Sequence, residues 1–333
     1  MARYRFASER WLGSVLLPAL ICGCSGTATP SIPLSAAGRP EGLRLALAPG
    51  VRHVFLADAV TNTVTIFSRG TGTRSLSGFN EPQLITTDSA GNLYVANTLD
   101  ENVEVFAPPY RNAPSWTIPD SGEWPVDVAV AKDGTVAVIN ICRASGTQCG
   151  GAGSVSFFSN AHAESPCATV SRGTIISRTL AAGFAADGTL YVAGVNNYIT
   201  SRLGVIAGEC GAKKLAALHP STAIHFAAGV QVDTKGNIAT VDSGGPTRGT
   251  TIDVFAAPKP GSRRLQLVSQ QPLDDSSVVA SFALTRDGTH LYTAEPQVSN
   301  EYEYPQGGYS QGQLIPPGAD LIEGVALTPA EVP

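Results

Sequence analysis

Short apolar runs rich in β-branched and aromatic residues alternate along this chain with polar, glycine-bearing turns. The clearest unit is Thr87-Asp88-Ser89-Ala90-Gly91-Asn92-Leu93-Tyr94-Val95-Ala96-Asn97, followed by Val103-Glu104-Val105-Phe106. The pattern returns at Asp133-Gly134 with Val136 to Asn140, at Asp187-Gly188 with Leu190 to Ala193, at Asp233 to Ile238, and at Asp287-Gly288 with His290 to Tyr292. A weaker copy stands at Ala48-Pro49-Gly50 with Val54 to Asp58. Glycine supplies the positive φ that tight turns need, so each unit predicts a β-hairpin. Alternation of period two in Val64-Thr65-Ile66-Phe67, Val103-Glu104-Val105-Phe106, Val155-Ser156-Phe157-Phe158 and Ile252-Asp253-Val254-Phe255 predicts strands with one face against a neighbour. Past the N-terminal segment no stretch holds a helical apolar pattern over four turns; Ala212 to Leu218 comes nearest.

The turn glycines Gly50, Gly91, Gly134, Gly188, Gly236 and Gly288 are separated by 41, 43, 54, 48 and 52 residues. A spacing of roughly 40–50 residues is the length of one four-stranded antiparallel blade. The chain therefore predicts an all-β fold, a six-bladed β-propeller, with seven blades as an alternative that needs one incomplete blade. Gly324-Val325-Ala326-Leu327-Thr328-Pro329-Ala330 matches the first strand of a further unit, and the given sequence stops soon after it. Pairing this segment with the first blade closes the ring and removes two open sheet edges.

Charged residues make up 15% and hydrophobic residues 43% of the 333, enough to fill a core and too few charges for a disordered chain. The formal net charge is −5; residues 1–23 hold +2 of it and the remainder −7. With no basic stripe, nucleic acid is not an expected partner. Arg3, Arg5 and Arg10 precede an apolar stretch, Trp11 to Ile21, too short to span a bilayer, which predicts a targeting signal. Ile21-Cys22-Gly23-Cys24 resembles a bacterial lipobox. That resemblance implies cleavage after residue 23 and a diacylglycerol on the Cys24 thiol, an anchor to the cell envelope. The alternative is an ordinary signal peptide with an incidental cysteine. Ser25 lacks the charge of an inner-membrane retention signal, which favours the outer membrane or the periplasmic face. Residues 24–39, rich in Ser, Thr, Ala, Gly and Pro, predict a flexible tether, and residues 40–333 the propeller domain.

Four cysteines remain, Cys142, Cys149, Cys167 and Cys210. In an oxidising envelope they predict two disulfides: Cys142 with Cys149 across a local Gly-rich loop, and Cys167 with Cys210 tying the outer part of blade three to blade four. A zinc site built from all four is the rival.

Candidate chemistry is thin. Asp242-Ser243-Gly244-Gly245-Pro246 resembles the nucleophile segment of trypsin-like proteases, but no matching histidine motif accompanies it, and a loop between strands is the expectation. Asp58, Asn97, Asn140, Asp242 and Glu295, with Asn196 and Asn197, end the second strands. They are turn-capping residues or, alternatively, oxygen ligands for Ca²⁺ or another divalent metal. Glu81, Asp127 and Glu323 enter the innermost strands and are expected on the rim of the central channel, where they could surround a cation. The candidate metal set is thus Glu81, Asp127, Asn140 and Asp242. The five histidines have no metalloprotease spacing. Glu301-Tyr302-Glu303-Tyr304 with Tyr309 predicts core packing, with glycan or peptide stacking as the minor alternative.

The units resemble NHL repeats and, more loosely, senescence-marker/gluconolactonase-like and YVTN-type propellers. The likeness rests on Pro82 through Asn97 and extends more weakly over about residues 40–333. It is also similar to bacterial lipoproteins carrying such repeats behind a lipobox. The lactonase-like branch implies a divalent metal held by a channel Glu with Asn and Asp. The motifs themselves specify blades and turns, which fix fold and leave function open. The sequence therefore points first to a membrane-tethered, non-enzymatic propeller that binds a ligand, a protein, a peptide or a glycan. A metal-dependent hydrolase or lactonase is the alternative.

Overall fold

In the computed structural model, residues 47–329 are described, apart from 147, 172–174, 197–199, 245–248, 260, 275 and 277. The targeting segment, Cys24, the tether and Asn197 fall outside the described residues. Six antiparallel sheets form the six blades of a propeller. From the axis outward, blade 1 is Ile322–Thr328, His53–Asp58, Thr63–Ser68 and Gly72–Ser77. Blade 2 is Pro82–Thr87, Leu93–Asn97, Asn102–Phe106 and Trp116–Pro119. Blade 3 is Glu123–Val130, Val136–Ser145, Ser154–Phe158 and Ala168–Ser171, with Gln148–Gly150 folded back on its long second strand. Blade 4 is Arg178–Phe184, Leu190–Asn196, Thr200–Ile206 and Ala216–Ala217. Blade 5 is Ala227–Val232, Ile238–Ser243, Thr250–Ala256 and Arg264–Pro272, with His219–Pro220 added in parallel at its outer edge. Blade 6 is Ser281–Leu284, His290–Ala294, Ser299–Glu303 and Gly307–Leu314.

The ring closes as the sequence predicts. Ile322–Thr328 pairs antiparallel with His53–Asp58, Leu327 opposite Val54 and Val325 opposite Leu56. The six innermost strands then touch one another in cyclic order. Polar side chains stitch neighbouring inner strands together. Thr87 Oγ1 donates to Leu327 O, Ser281 Oγ donates to Glu323 O, and Gln231 accepts from Leu284 N while donating to Phe282 O.

Alternation serves a purpose the pattern alone does not reveal. Leu93–Asn97 and Ile238–Ser243 are buried on both faces. In His53–Asp58, Val54 and Leu56 pack towards blade 6 with Tyr292 and Ala294, whereas Phe55 and Ala57 pack towards blade 2 with Ile85, Leu93 and Phe106. Period two thus assigns side chains to two inter-blade cores rather than to core and solvent. At full burial each large apolar side chain contributes about 1.5–3 kcal/mol. Tyr302 and Tyr304 belong to the core between blades 5 and 6, and the Tyr304 hydroxyl donates to Asp233 at 3.1 Å, so neither is available for stacking; Tyr309 is exposed.

Every turn glycine of the repeat takes a positive φ, from +64° at Gly288 to +93° at Gly134. The preceding aspartate secures the turn: Asp88 accepts from Ala90 N and Asn92 N, and Asp233 from Lys235 N and Asn237 N, all at 2.8–2.9 Å. Both disulfides form as paired in the sequence reading, Cys142 with Cys149 and Cys167 with Cys210. The zinc alternative is thereby excluded, because the four sulfurs are consumed in pairs.

Candidate functional site at the axial mouth

Three cavities line up along the axis, adjacent ones sharing wall residues. The upper cavity, about 110 Å³, opens where the chain enters the innermost strands. Leu84, Ala181 and Gly229 carry its wall into a middle space of about 40 Å³. Thr86, Ala182 and Gln231 then lead to a lower cavity of about 360 Å³ at the Asp-Gly turns.

The upper cavity is a largely apolar funnel walled by Leu84, Val126, Ile141, Leu180, Phe226 and Val279 among others, with Glu81, Gln83 and Glu323 as its polar members. Glu81 sits at a φ of +62°, and its backbone N–H donates to Asn62 Oδ1 at 2.8 Å, which fixes the loop entering blade 2. Its carboxylate has one long partner, Gln83 Nε2 at 3.4 Å from Oε1. Burial lifts its pKa to about 7, against the pull of Gln83. Burial lifts Glu323 to about 8, and the charges of Glu81 and Asp58 push it in the same direction.

The candidate metal ligands do not converge. Glu81 stands at the upper mouth, while Asp127 lines the middle space. Both Asp127 oxygens are occupied, Oδ1 by Val128 N and Oδ2 by Ala182 N of blade 4, each at 2.8 Å. Asn140 lies inside blade 3 and donates to Asp120 at 2.8 Å, with Ser154 and Ser156 close by. Asp242 Oδ1 accepts from the backbone N–H groups of His225 and Phe226, and its Oδ2 lies against His225 Nδ1, all at 2.9 Å. Among the described residues, no three His, Cys, Asp or Glu side chains gather where they could share an ion. The candidate set Glu81, Asp127, Asn140 and Asp242 therefore does not form a ligand cage in this channel.

What these strand-end residues do instead is repeat one structural job. Asp58 accepts from Asp320 N and Leu321 N, Asn97 from Asn80 N, and Asp242 from His225 N and Phe226 N. Each ties the end of a second strand to the loop that enters the innermost strand of its own blade. Glu295 holds Thr293 and Asn300 within blade 6. Asn196 ends the second strand of blade 4, paired with Thr200. Asp242 and Ser243 end a strand, and Ser243 Oγ accepts from Val279 N, a bracing contact between blades 5 and 6.

Sequence reasoning missed Gln231 in the middle space and the pair Lys132 and Arg286 at the lower cavity. Lys132 and Arg286 each stand immediately before the Asp-Gly of their turn, so stacking the repeats against one another exposes them. It missed the His225–Asp242 pair because His225 lies in the loop entering the inner strand and Asp242 near the end of the next strand.

The raised carboxyls set a pH dependence. Asp127 is pushed up to about 8 by burial, with its two backbone N–H donors opposing, and Asp120 to about 6 by burial, with Asn140 and Ser156 opposing. A group held protonated in the fold but ionised when unfolded stabilises fully below its unfolded pKa and loses that contribution as pH rises through its folded pKa. With Asp127, Glu323 and Glu81 shifted alike, stability is expected to fall between pH 5 and pH 8.5 by a few kcal/mol, roughly 5–10 °C in Tm. Thermal melts across that range check the sign; a Tm that rises with pH contradicts it. Asp127→Asn should flatten the profile while lowering Tm at pH 5, since its amide faces two N–H donors.

No protein-family model matches this chain, and no curated protein does either. Solved structures do resemble it. A protein of unknown function from Bacteroides caccae matches with a TM-score of 0.57 at 14% identity, covering 83% of this chain and 98% of that one. A luciferin-regenerating enzyme matches with a TM-score of 0.51 at 12% identity, covering 74% of this chain and 85% of that one. At such identities the likeness is one of fold, and by fold this chain is a six-bladed β-propeller.

Proposed function

We propose that this chain is a cell-envelope binding propeller, anchored through a lipid on Cys24, which takes a small ligand or a peptide side chain into the upper axial mouth without transforming it. The observation that carries this reading is the funnel itself. Concave, mostly apolar and furnished with few polar groups, it has the character of a ligand site, and six blades meet around it. Binding is favoured over metal-dependent hydrolysis because the oxygens of Asp127 and Asp242 are taken by scaffold N–H groups, and Asn140 lies inside blade 3 with its amide nitrogen on Asp120. The similarity to a luciferin-regenerating enzyme supports a ligand-handling propeller and carries no substrate to this chain.

The neutral dye Nile red reports on such a mouth. Its fluorescence should rise on titration into the full chain in non-ionic detergent, above a detergent-only control, and Ala280→Trp, which fills the wall, should remove most of the rise. An unchanged signal in Ala280→Trp places the dye elsewhere and sinks the mouth as the binding site. For the anchor, labelling with a radioactive fatty acid in a bacterial host should be lost in Cys24→Ser, and persistence of the label would exclude that residue.

A further inference from the structure

Resting on the reading of the upper mouth as a ligand site, we infer that its ligand is a hydrophobic monocation, an alkyl- or arylammonium, held by Glu323 with Glu81. The Glu323 carboxylate lines the funnel, yet among the described residues it makes no hydrogen bond and no ion pair; Ser281 Oγ donates to its backbone oxygen, not to the side chain. Glu81 contributes a second carboxylate to the same wall with only its long contact to Gln83. Among the described residues, those lining the cavity include no lysine, arginine or histidine. Asp58 lies near enough to repel Glu323, but its own oxygens are taken by Val60, Thr61, Asp320 and Leu321 N–H groups. The His225–Asp242 pair adjoins Phe226 and is outside the lining.

Glu81 and Glu323 are each half-buried, and a carboxyl group partly withdrawn from water without a charged partner is costly to ionise. Here two acids face the same apolar space and raise each other's cost of ionisation. An ammonium group entering the funnel satisfies both at once: it donates to the open oxygens, offsets the repulsion, and leaves its hydrocarbon body against Leu84, Val126, Leu180, Phe226 and Val279. An anion meets only repulsion there. A neutral body gains the apolar contact but leaves both acids as they were. The Phe226 ring in the wall adds a face that favours a cation. Because an ammonium favours the ionised acids, binding near neutral pH must release protons from the protein.

Three probes sharing one apolar body test this: phenethylammonium, 2-phenylethanol and phenylacetate, titrated calorimetrically into the full chain in non-ionic detergent at pH 7.5. Phenethylammonium is expected to bind at least tenfold more tightly than 2-phenylethanol, with phenylacetate the weakest. Its apparent binding heat should differ between Tris and phosphate, the signature of proton release. Its affinity should fall at pH 6, where the acids are protonated. Glu323→Gln should bring phenethylammonium down to the affinity of the alcohol while leaving the alcohol unchanged. This variant removes a half-buried charge set against that of Glu81, so its Tm at pH 8.5 should rise, which separates lost binding from lost folding. Equal affinity for all three probes overturns the cationic ligand while the apolar mouth stands. Stabilisation by Ca²⁺ with none by the ammonium overturns it in favour of a metal. Failure of all three probes alongside Nile red overturns both it and the mouth.

Discussion

Truncation after residue 320 is expected to abolish cooperative folding. The lost segment is the innermost strand of blade 1, and it pairs along its length with His53–Asp58. Its Ile322, Val325 and Leu327 are at most 2% exposed and fill the core between blades 1 and 6. Their burial alone is worth roughly 5–8 kcal/mol, comparable with the whole net stability of an ordinary domain, about 5–15 kcal/mol. The ladder hydrogen bonds go with them. So does the contact of Gly324 with Gln83 and Leu84 of blade 2, an approach so close that a Cβ on Gly324 would meet Gln83 O at 2.5 Å. The remainder would expose the unpaired edge of His53–Asp58 to other chains. Expression of the truncated chain should yield insoluble or aggregated material, and any soluble fraction should melt without a sharp transition by circular dichroism. A soluble monomer with a cooperative melt near that of the full chain would show that blade 1 is complete without its C-terminal strand.

Replacing Cys167 and Cys210 together by serine should cost about 4 kcal/mol, by loop-closure entropy for a bridge whose ends are 43 residues apart. The same substitution at Cys142 and Cys149, with a separation of 7, should cost about 2.5 kcal/mol. The difference has a structural meaning. The short bridge closes a loop within blade 3, whereas the long one crosses from the loop before Ala168–Ser171 of blade 3 to the Glu209–Gly211 turn of blade 4. It restrains the outer edges of two blades whose inner strands are already joined by Asp127 and Ala182. Denaturant unfolding of the two double variants against the parent measures both costs. A smaller loss for the Cys167/Cys210 pair than for the Cys142/Cys149 pair would contradict the entropic account and point to native-state contacts as the source of the stabilisation.

These two experiments probe ring closure and inter-blade cross-linking, features the sequence displays. The mouth is different. Glu81, Asp127 and Glu323 are recognisable as residues entering inner strands, but nothing in their spacing distinguishes an acid that faces the channel from one that turns back to the backbone. Asp127 is drawn down the strand to the amides of Val128 and Ala182, while Glu323 is left facing the funnel. Asn140 and Asp242 read as caps with metal ligation as the alternative; both Asp242 oxygens are taken at His225 and Phe226, and the Asn140 amide nitrogen donates to Asp120 inside blade 3.

The sequence by itself displayed the repeat and the closing strand, and favoured six blades over seven and the two cysteine pairs over a zinc site. Each of these follows from local turn chemistry, a fixed period, or proximity along the chain and between successive blades. Only the tertiary structure decided which of the two inter-blade cores each alternate side chain enters, and which acids share a cavity. Glu81 and Glu323 lie at opposite ends of the domain, and they meet because ring closure sets the innermost strand of blade 1 beside that of blade 2. That no described lining residue brings them a counter-charge depends on everything else that lines the mouth, a property of six strands brought around one axis and of no segment alone.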